Sequence, residues 1–200
     1  NLHDAEAIYE HLQPLGIQGW QVMLTVPLGR GADRPGLLLQ PWDLLTLMPA
    51  LSKLKRRAWA DGIQLHLSNN VGYFGPDEAT LRAPSADSPE HFHGCQAGKL
   101  IMGIESDGAV KGCPSLQSAH YIGGSLKQDS LETLWNSKEV SFARRRTVDD
   151  LWGFCRTCPF AETCLGGCTF SAHSLFGKPG NNPYCHYRVS ALAADGKRER

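Results

Sequence analysis

Cys155-Arg156-Thr157-Cys158-Pro159-Phe160-Ala161-Glu162-Thr163-Cys164-Leu165-Gly166-Gly167-Cys168 is the stretch on which the reading of this chain turns. It places four thiols in fourteen residues, too close together for the separated pairs of a zinc ribbon, and Gly166-Gly167 lets the backbone turn tightly between the last two. Soft sulfur donors in such local convergence select zinc, copper(I) or an iron–sulfur cluster. The chain has seven cysteines in 200 residues, and an odd number cannot close entirely into internal disulfides. The N-terminus, Asn1-Leu2-His3-Asp4, has neither the basic nor the apolar region of a signal peptide. A reducing, cytoplasmic setting is therefore expected, where dense cysteine means metal or redox chemistry.

The other three cysteines stand on either side of that run, at Cys95, Cys113 and Cys185, and the first ninety-four residues have none. After Cys95, Leu100 to Ile104 reads as one strand of a hairpin, Asp107-Gly108 as its turn, and Ala109 to Gly112 as the return to Cys113. That return brings Cys95 and Cys113 towards one site. Cys185 follows a turn-forming stretch, Gly180-Asn181-Asn182-Pro183.

The cysteine-free half reads as α/β. Ala5, Ile8, Leu12 and Leu15 recur at helical spacing before Gly16. Trp20 to Val26 is rich in strand formers and ends at Pro27, ahead of a glycine-rich loop whose simplest reading is a strand-to-helix connection. A helix is expected over 41–60, with Leu44, Leu47, Met48, Leu51 and Leu54 on one face and Lys53, Lys55, Arg56 and Arg57 mostly on the other. Pro49 should kink or shorten it. Ile63 to Leu67 is the next strand, followed by the loop Asn69 to Pro76.

Two parallel strands do not make a stable sheet by themselves, so residues 1–82 are expected to be the C-terminal part of a larger barrel or open sheet whose other strands lie upstream. Ligands of such folds gather at the carboxyl ends of the strands. Arg30 and Asn70 stand there as candidate contacts to a cofactor or substrate. Residues 83–90, with Pro84 and Pro89, read as a linker, 91–190 as a cysteine-rich unit and 191–200 as a polar tail.

Charge is balanced, with 20 Lys plus Arg against 20 Asp plus Glu, and 42% of residues are hydrophobic. That composition favours a globular chain and argues against a nucleic-acid or membrane partner.

The full spacing, Cys95-x12-Gly108-x4-Cys113, then Cys155-x2-Cys158-x5-Cys164-x3-Cys168, then Cys185, resembles the seven-cysteine signature of SPASM domains. These are the C-terminal extensions of radical SAM enzymes that modify peptides and proteins. The segments Trp20 to Arg30 and Asn70 to Gly75 resemble late strands of the partial TIM-type barrel in maturases of ribosomally made peptides.

The resemblance implies a small, loop-rich α+β domain with two auxiliary 4Fe-4S clusters. The inner one would use Cys95, Cys113 and Cys168, and the outer one Cys155, Cys158, Cys164 and Cys185. Ligands crossing between clusters have a precedent in two-cluster ferredoxins. With three cysteines, the inner cluster keeps one iron open or borrows a further ligand. His91 and His93 alternate with Cys95 and would share its face in an extended segment, although a solvated or hydrogen-bonded histidine is the commoner case.

In the parent enzyme, S-adenosylmethionine and a third 4Fe-4S cluster generate a 5'-deoxyadenosyl radical that abstracts a substrate hydrogen. The auxiliary clusters accept an electron or hold the substrate, and a flavodoxin or ferredoxin supplies electrons. The Cys-x3-Cys-x2-Cys loop that binds the SAM-cleaving cluster does not occur here, so the chain by itself is not expected to cleave SAM. Truncation accounts for both that loop and the missing strands. Sulfatase-maturing relatives carry Asp after the position of Cys113, where this chain has Pro114, which favours a modification other than formylglycine formation. A stand-alone electron-transfer protein and a cysteine-rich zinc module are the alternatives.

Around the signature, Asp129 and Glu132 read as a capping box for a helix through Leu131, Leu134 and Trp135. Trp152, Phe154, Phe160 and Phe170 read as packing around the clusters, with peptide contact second. Arg144-Arg145-Arg146 reads as a solvated face or, more sharply, as a contact for an anionic peptide.

Overall fold

The structure is a computed structural model that describes residues 1–116 and 119–198. Its first half runs α1 (Ala5–Leu12), β1 (Gly19–Val22), α2 (Leu44–Ala60), β2 (Gln64–Leu67) and α3 (Glu78–Arg82). β1 and β2 pair in parallel, with Trp20 opposite Leu65 and Val22 opposite Leu67. The alternation of helix and strand expected from the sequence is observed, and β1 is shorter than the stretch of strand formers.

Helix α2 supplies the core. Leu44, Leu47, Met48, Leu51, Leu54 and Ala58 are buried against Tyr9 of α1, Leu65 of β2, and Val71 and Leu81. Pro49 does not end the helix, which continues for seventeen residues to Ala60. Proline removes one donor, and the position is on the exposed side, where water can reach the Leu45 carbonyl that loses its partner. The helix starts three residues later than expected, because Pro41–Asp43 forms a 3-10 turn in which Asp43 accepts the Gln40 N–H at 2.8 Å.

Lys55 departs from the expected polar face. It follows Leu51 by four residues, so it shares the apolar stripe, and its Nζ donates to the Leu81 carbonyl at 2.9 Å while lying 5.5 Å from the Trp59 ring.

The second half contains β3 (Gly103–Ile104), β4 (Ala109–Lys111), β5 (Ile122–Ser125) and the helices α4 (Leu131–Asn136), α5 (Phe142–Arg145), α6 (Ala161–Cys164), α7 (Thr169–Phe176) and α8 (His186–Ala194). The expected hairpin is β3–β4, turned at Gly108 with φ +93°, and the Ala109 N–H is held by Asp107 Oδ1 at 2.9 Å. The sequence reading missed β5, which pairs antiparallel with β4 and completes a three-stranded sheet. The cap of α4 also differs. Ser130 accepts the Thr133 N–H at 3.2 Å, in place of the Asp129–Glu132 box.

Helix α8 returns to the first half. Tyr184 and Val189 lie in the α2 core, and Tyr184 Oη donates to the Leu39 carbonyl at 2.6 Å. The helix extends through Ala194, so the polar tail begins at Asp195, and its last two positions, 199–200, lie outside the described residues. No helix among the described residues is long and apolar enough to cross a membrane.

Candidate metal centre

Four of the cysteines line one cavity. Cys155, Cys158, Cys164 and Cys185 share it with Tyr73, Phe74, Phe154 and Phe160. Cys155 stands on a 3-10 turn and Cys164 ends α6. The chain then reverses through Leu165, Gly166 and Gly167, all at positive φ. A Cβ on Gly166 would lie 2.8 Å from the Gly180 backbone, and one on Gly167 2.7 Å from the Tyr73 ring, so glycine is required at both places. Cys168 and Cys185 occupy the positions just before α7 and α8, where the helix dipole favours a thiolate.

Cys95 and Cys113 form a second neighbourhood, and Cys168 stands between the two, packing beside Cys164 and Cys185 while coupled by charge to Cys95. Cys95 and Cys113 pack with Ala97, Ala143 and Phe142. The Thr169 hydroxyl donates to Cys95 Sγ at 3.6 Å, directly after Cys168 in the chain. Cys95 is also the nearby charge that most raises the Cys168 thiol, and it acts on Cys113 as well. The thiols of the four-cysteine group act on one another in the same way, Cys185, Cys155 and Cys158 all raising Cys164.

Burial, with neighbouring thiolates adding to it, pushes Cys185 up to about 12 and Cys168 up to about 11, and raises Cys164 further still. Burial likewise raises Cys113 and Cys158. Five buried or half-buried thiols whose ionisation is opposed in this way fit a positively charged inorganic partner, which would stabilise their thiolates. The donors are sulfur throughout, which fits zinc or an iron–sulfur cluster.

The loop after β2 joins the halves through Tyr73, which sequence reasoning did not single out from its neighbours. Tyr73 Oη donates to the Asn69 carbonyl at 2.8 Å and accepts the Cys168 N–H at 3.1 Å. Asn182 Nδ2 reaches the Ser171 hydroxyl at 2.9 Å and the Cys168 carbonyl at 3.3 Å. Arg82 fixes the same loop from below, donating to the Val71 carbonyl at 2.8 Å and to that of Gly72, with Glu78 3.5 Å from its Nε. Burial raises the Glu78 carboxyl, which the Arg82 charge opposes, and Glu78 also accepts the Phe92 N–H at 2.8 Å.

Arg146 is the other residue whose role was hidden. It is buried, in place of the expected solvated face, and donates to the Thr169 hydroxyl at 2.7 Å and the Leu165 carbonyl at 3.2 Å. Its guanidinium sits within electrostatic reach of Cys95 and Cys168. Arg144 and Arg145 stay towards the surface, bonding the backbone carbonyls of Trp135 and Asn136.

The candidate ligand contacts of the first half separate. Arg30 is exposed on a 3-10 turn after β1. Asn70 is buried, and both ends of its amide are engaged by the Leu24 backbone, at 2.9 and 3.2 Å, so it clamps two loops where an open ligand contact was expected. His91 and His93 turn to Glu90 at the surface. Of the expected aromatic packing, Phe160 stacks on Phe74 at 4.4 Å beside the four-cysteine cavity. Trp152 instead faces Phe176 and Lys178.

The two groups of thiols are a sulfur donor set of the kind that binds zinc or iron–sulfur clusters, and comparison with known proteins shows what the chain is similar to. Residues 95–159 match the SPASM family, described as an iron-sulfur cluster-binding domain. The chain is similar to the AdoMet-dependent heme synthase of Nitratidesulfovibrio vulgaris, with 23% identity over 209 residues covering 94% of this chain and 51% of the relative. It is also similar to the mycofactocin maturase MftC of Mycobacterium tuberculosis, with 30% identity over 94 residues covering 46% of this chain and 23% of that protein. The chain thus spans about half the length of the first relative and about a quarter of the second. The resemblance to radical SAM/SPASM proteins drawn from the cysteine spacing is borne out.

Proposed function

We propose that this chain is the C-terminal portion of a radical SAM/SPASM enzyme that modifies a ribosomally made peptide or protein. The observation that carries the reading is the grouping of the seven thiols, four lining one cavity, Cys95 and Cys113 packed together, and Cys168 between them and coupled by charge to Cys95. In this reading Cys155, Cys158, Cys164 and Cys185 hold one auxiliary 4Fe-4S cluster, and Cys95, Cys113 and Cys168 hold the other. When bound, the clusters would supply one-electron transfer or an iron that anchors substrate. S-adenosylmethionine and its own cluster belong to the longer enzyme, with residues 1–82 closing the end of its partial barrel. An electron donor such as a flavodoxin or ferredoxin completes the system, and the cytoplasm is the compartment that suits it.

The chain's own residues prepare the sites. Phe74, Phe154 and Phe160 keep water from the four-cysteine cavity, which raises the strength of every charge interaction inside it. Arg146 places a fixed positive charge beside the other set, favouring whichever state carries more negative charge. Tyr73 and Asn182 lock the Cys168 backbone between the two sets.

A reaction on a haem precursor is the second reading, favoured by the longer of the two matches. Anaerobic purification followed by iron, sulfide and zinc analysis tests the cluster assignment. About eight irons with matching sulfide per chain are expected from two four-iron clusters. Colourless protein holding only zinc overturns it. Incubating the longer enzyme with S-adenosylmethionine, a reductant and either a precursor peptide or a haem precursor separates the two substrate readings by the mass change of the product.

A further inference from the structure

A second group of ligating side chains stands outside the cysteine sets, just after the linker. Glu90, His91 and His93 each bring one ligand atom within 4.8 Å of the others. Glu90 Oε1 lies 2.9 Å from Nε2 of His93 and 3.5 Å from Nδ1 of His91. Ligands of a tetrahedral zinc at about 2.0–2.1 Å from the metal stand about 3.3–3.4 Å apart. These two separations lie on either side of that value and the third is within 4.8 Å, so one ion could replace the Glu90–His93 hydrogen bond after local side-chain adjustment.

The arrangement is built by the residue between the histidines. Phe92 is buried, its ring is 4.5 Å from that of Tyr73, and its N–H is fixed by Glu78. With Phe92 pinned inward, both histidines emerge on the solvent side, their rings 4.3 Å apart. About half of each imidazole is exposed, 48% for His91 and 56% for His93, which leaves an entry path. A cavity of about 200 Å³ adjoins them and is also lined by His66, giving room for a fourth donor.

The geometry points to a zinc-class divalent cation site at Glu90, His91 and His93, independent of the seven cysteines. Two imidazoles and a carboxylate suit zinc, nickel or copper(II) in preference to magnesium or calcium. Three protein ligands leave a position for water or an added ligand. The two cations that line that cavity are already engaged, Arg82 with Glu78 and the Lys55 ammonium with the Leu81 carbonyl.

The test titrates zinc into the cluster-loaded chain under anaerobic conditions, against a chromogenic chelator, with iron and sulfide measured before and after. One tightly held zinc per chain with no loss of iron is expected. The double variant His91→Ala/His93→Ala should weaken that binding by about tenfold or more, while His11→Ala, at an exposed histidine on α1, leaves it unchanged. Zinc uptake that survives the double variant, or that occurs only as iron is lost, overturns the site. Because iron and sulfide are read separately, failure here is distinct from failure of the cluster assignment.

Discussion

The two halves of this chain are stabilised differently. Residues 1–82 gather their apolar side chains into one core around α2, from Tyr9 to Leu81. The cysteine-rich half instead divides its core into small groups of buried residues, in three of which cysteines take the place of aliphatic side chains. A chain that buries this little apolar surface in one place needs a further source of stability, and metal clusters supply it in small domains. The first half should therefore tolerate loss of the clusters, whereas the second should not. Helix α8 belongs to both, with Cys185 at its N-terminus and Val189 in the α2 core.

The largest effect follows from breaking that difference. Chelating the iron should lower hydrogen-exchange protection across 95–185 by about 3 kcal/mol or more, while α2 and β2 keep theirs. Equal loss in both halves would mean that the comparison is misplaced. Next, Gly167→Ala combines φ +69° with a Cβ 2.7 Å from the Tyr73 ring. It should cost about 2–3 kcal/mol in denaturant unfolding of the loaded protein.

How far these features were legible in the sequence depends on their range. The cysteine sets were, because ligand spacing is written directly in the chain, and so was the β3–β4 turn, where Asp107-Gly108 is a local signal. β5 was not, since Ile122-Gly123-Gly124-Ser125 has little strand propensity. Its glycines answer to tertiary contact, a Cβ on Gly124 meeting Leu134 at 2.6 Å. Arg146 was hidden for a similar reason. It resembles Arg144 and Arg145 in sequence, and only the fold turns it inward to Thr169. Tyr73 bonds a residue 95 positions away, a separation no local pattern reports. Lys55 was legible in principle, because its i+4 relation to Leu51 already placed it on the buried stripe.

A smaller effect sharpens the account of the first half. Burial, with the Arg82 charge second, lowers Lys55 from 10.5 to about 8. Below pH 8 both folded and unfolded chains carry the charge. Between about 8 and 10.5 the unfolded chain alone holds the proton, so the folded state gains stability as pH rises. Wild type should gain up to about 3 kcal/mol relative to Lys55→Met across that window, read from paired denaturant melts. A flat difference would mean that the ammonium is not desolvated.

The smallest effect concerns the second half alone. Arg146→Gln should lower the midpoint potential of the cluster assigned to Cys95, Cys113 and Cys168 by on the order of tens of millivolts. Arg146→Lys should restore most of it, and the potential of the other cluster should stay unchanged. Equal shifts in both would show that the charge is not local to one set.

The central claim is that the two thiol neighbourhoods hold two separate clusters. Electron paramagnetic resonance of the dithionite-reduced chain, with Cys158→Ser and Cys113→Ser compared with wild type, tests it most directly. Two reduced-cluster signals are expected, with Cys158→Ser altering or removing one and Cys113→Ser the other. A single signal affected alike by both substitutions would contradict the account.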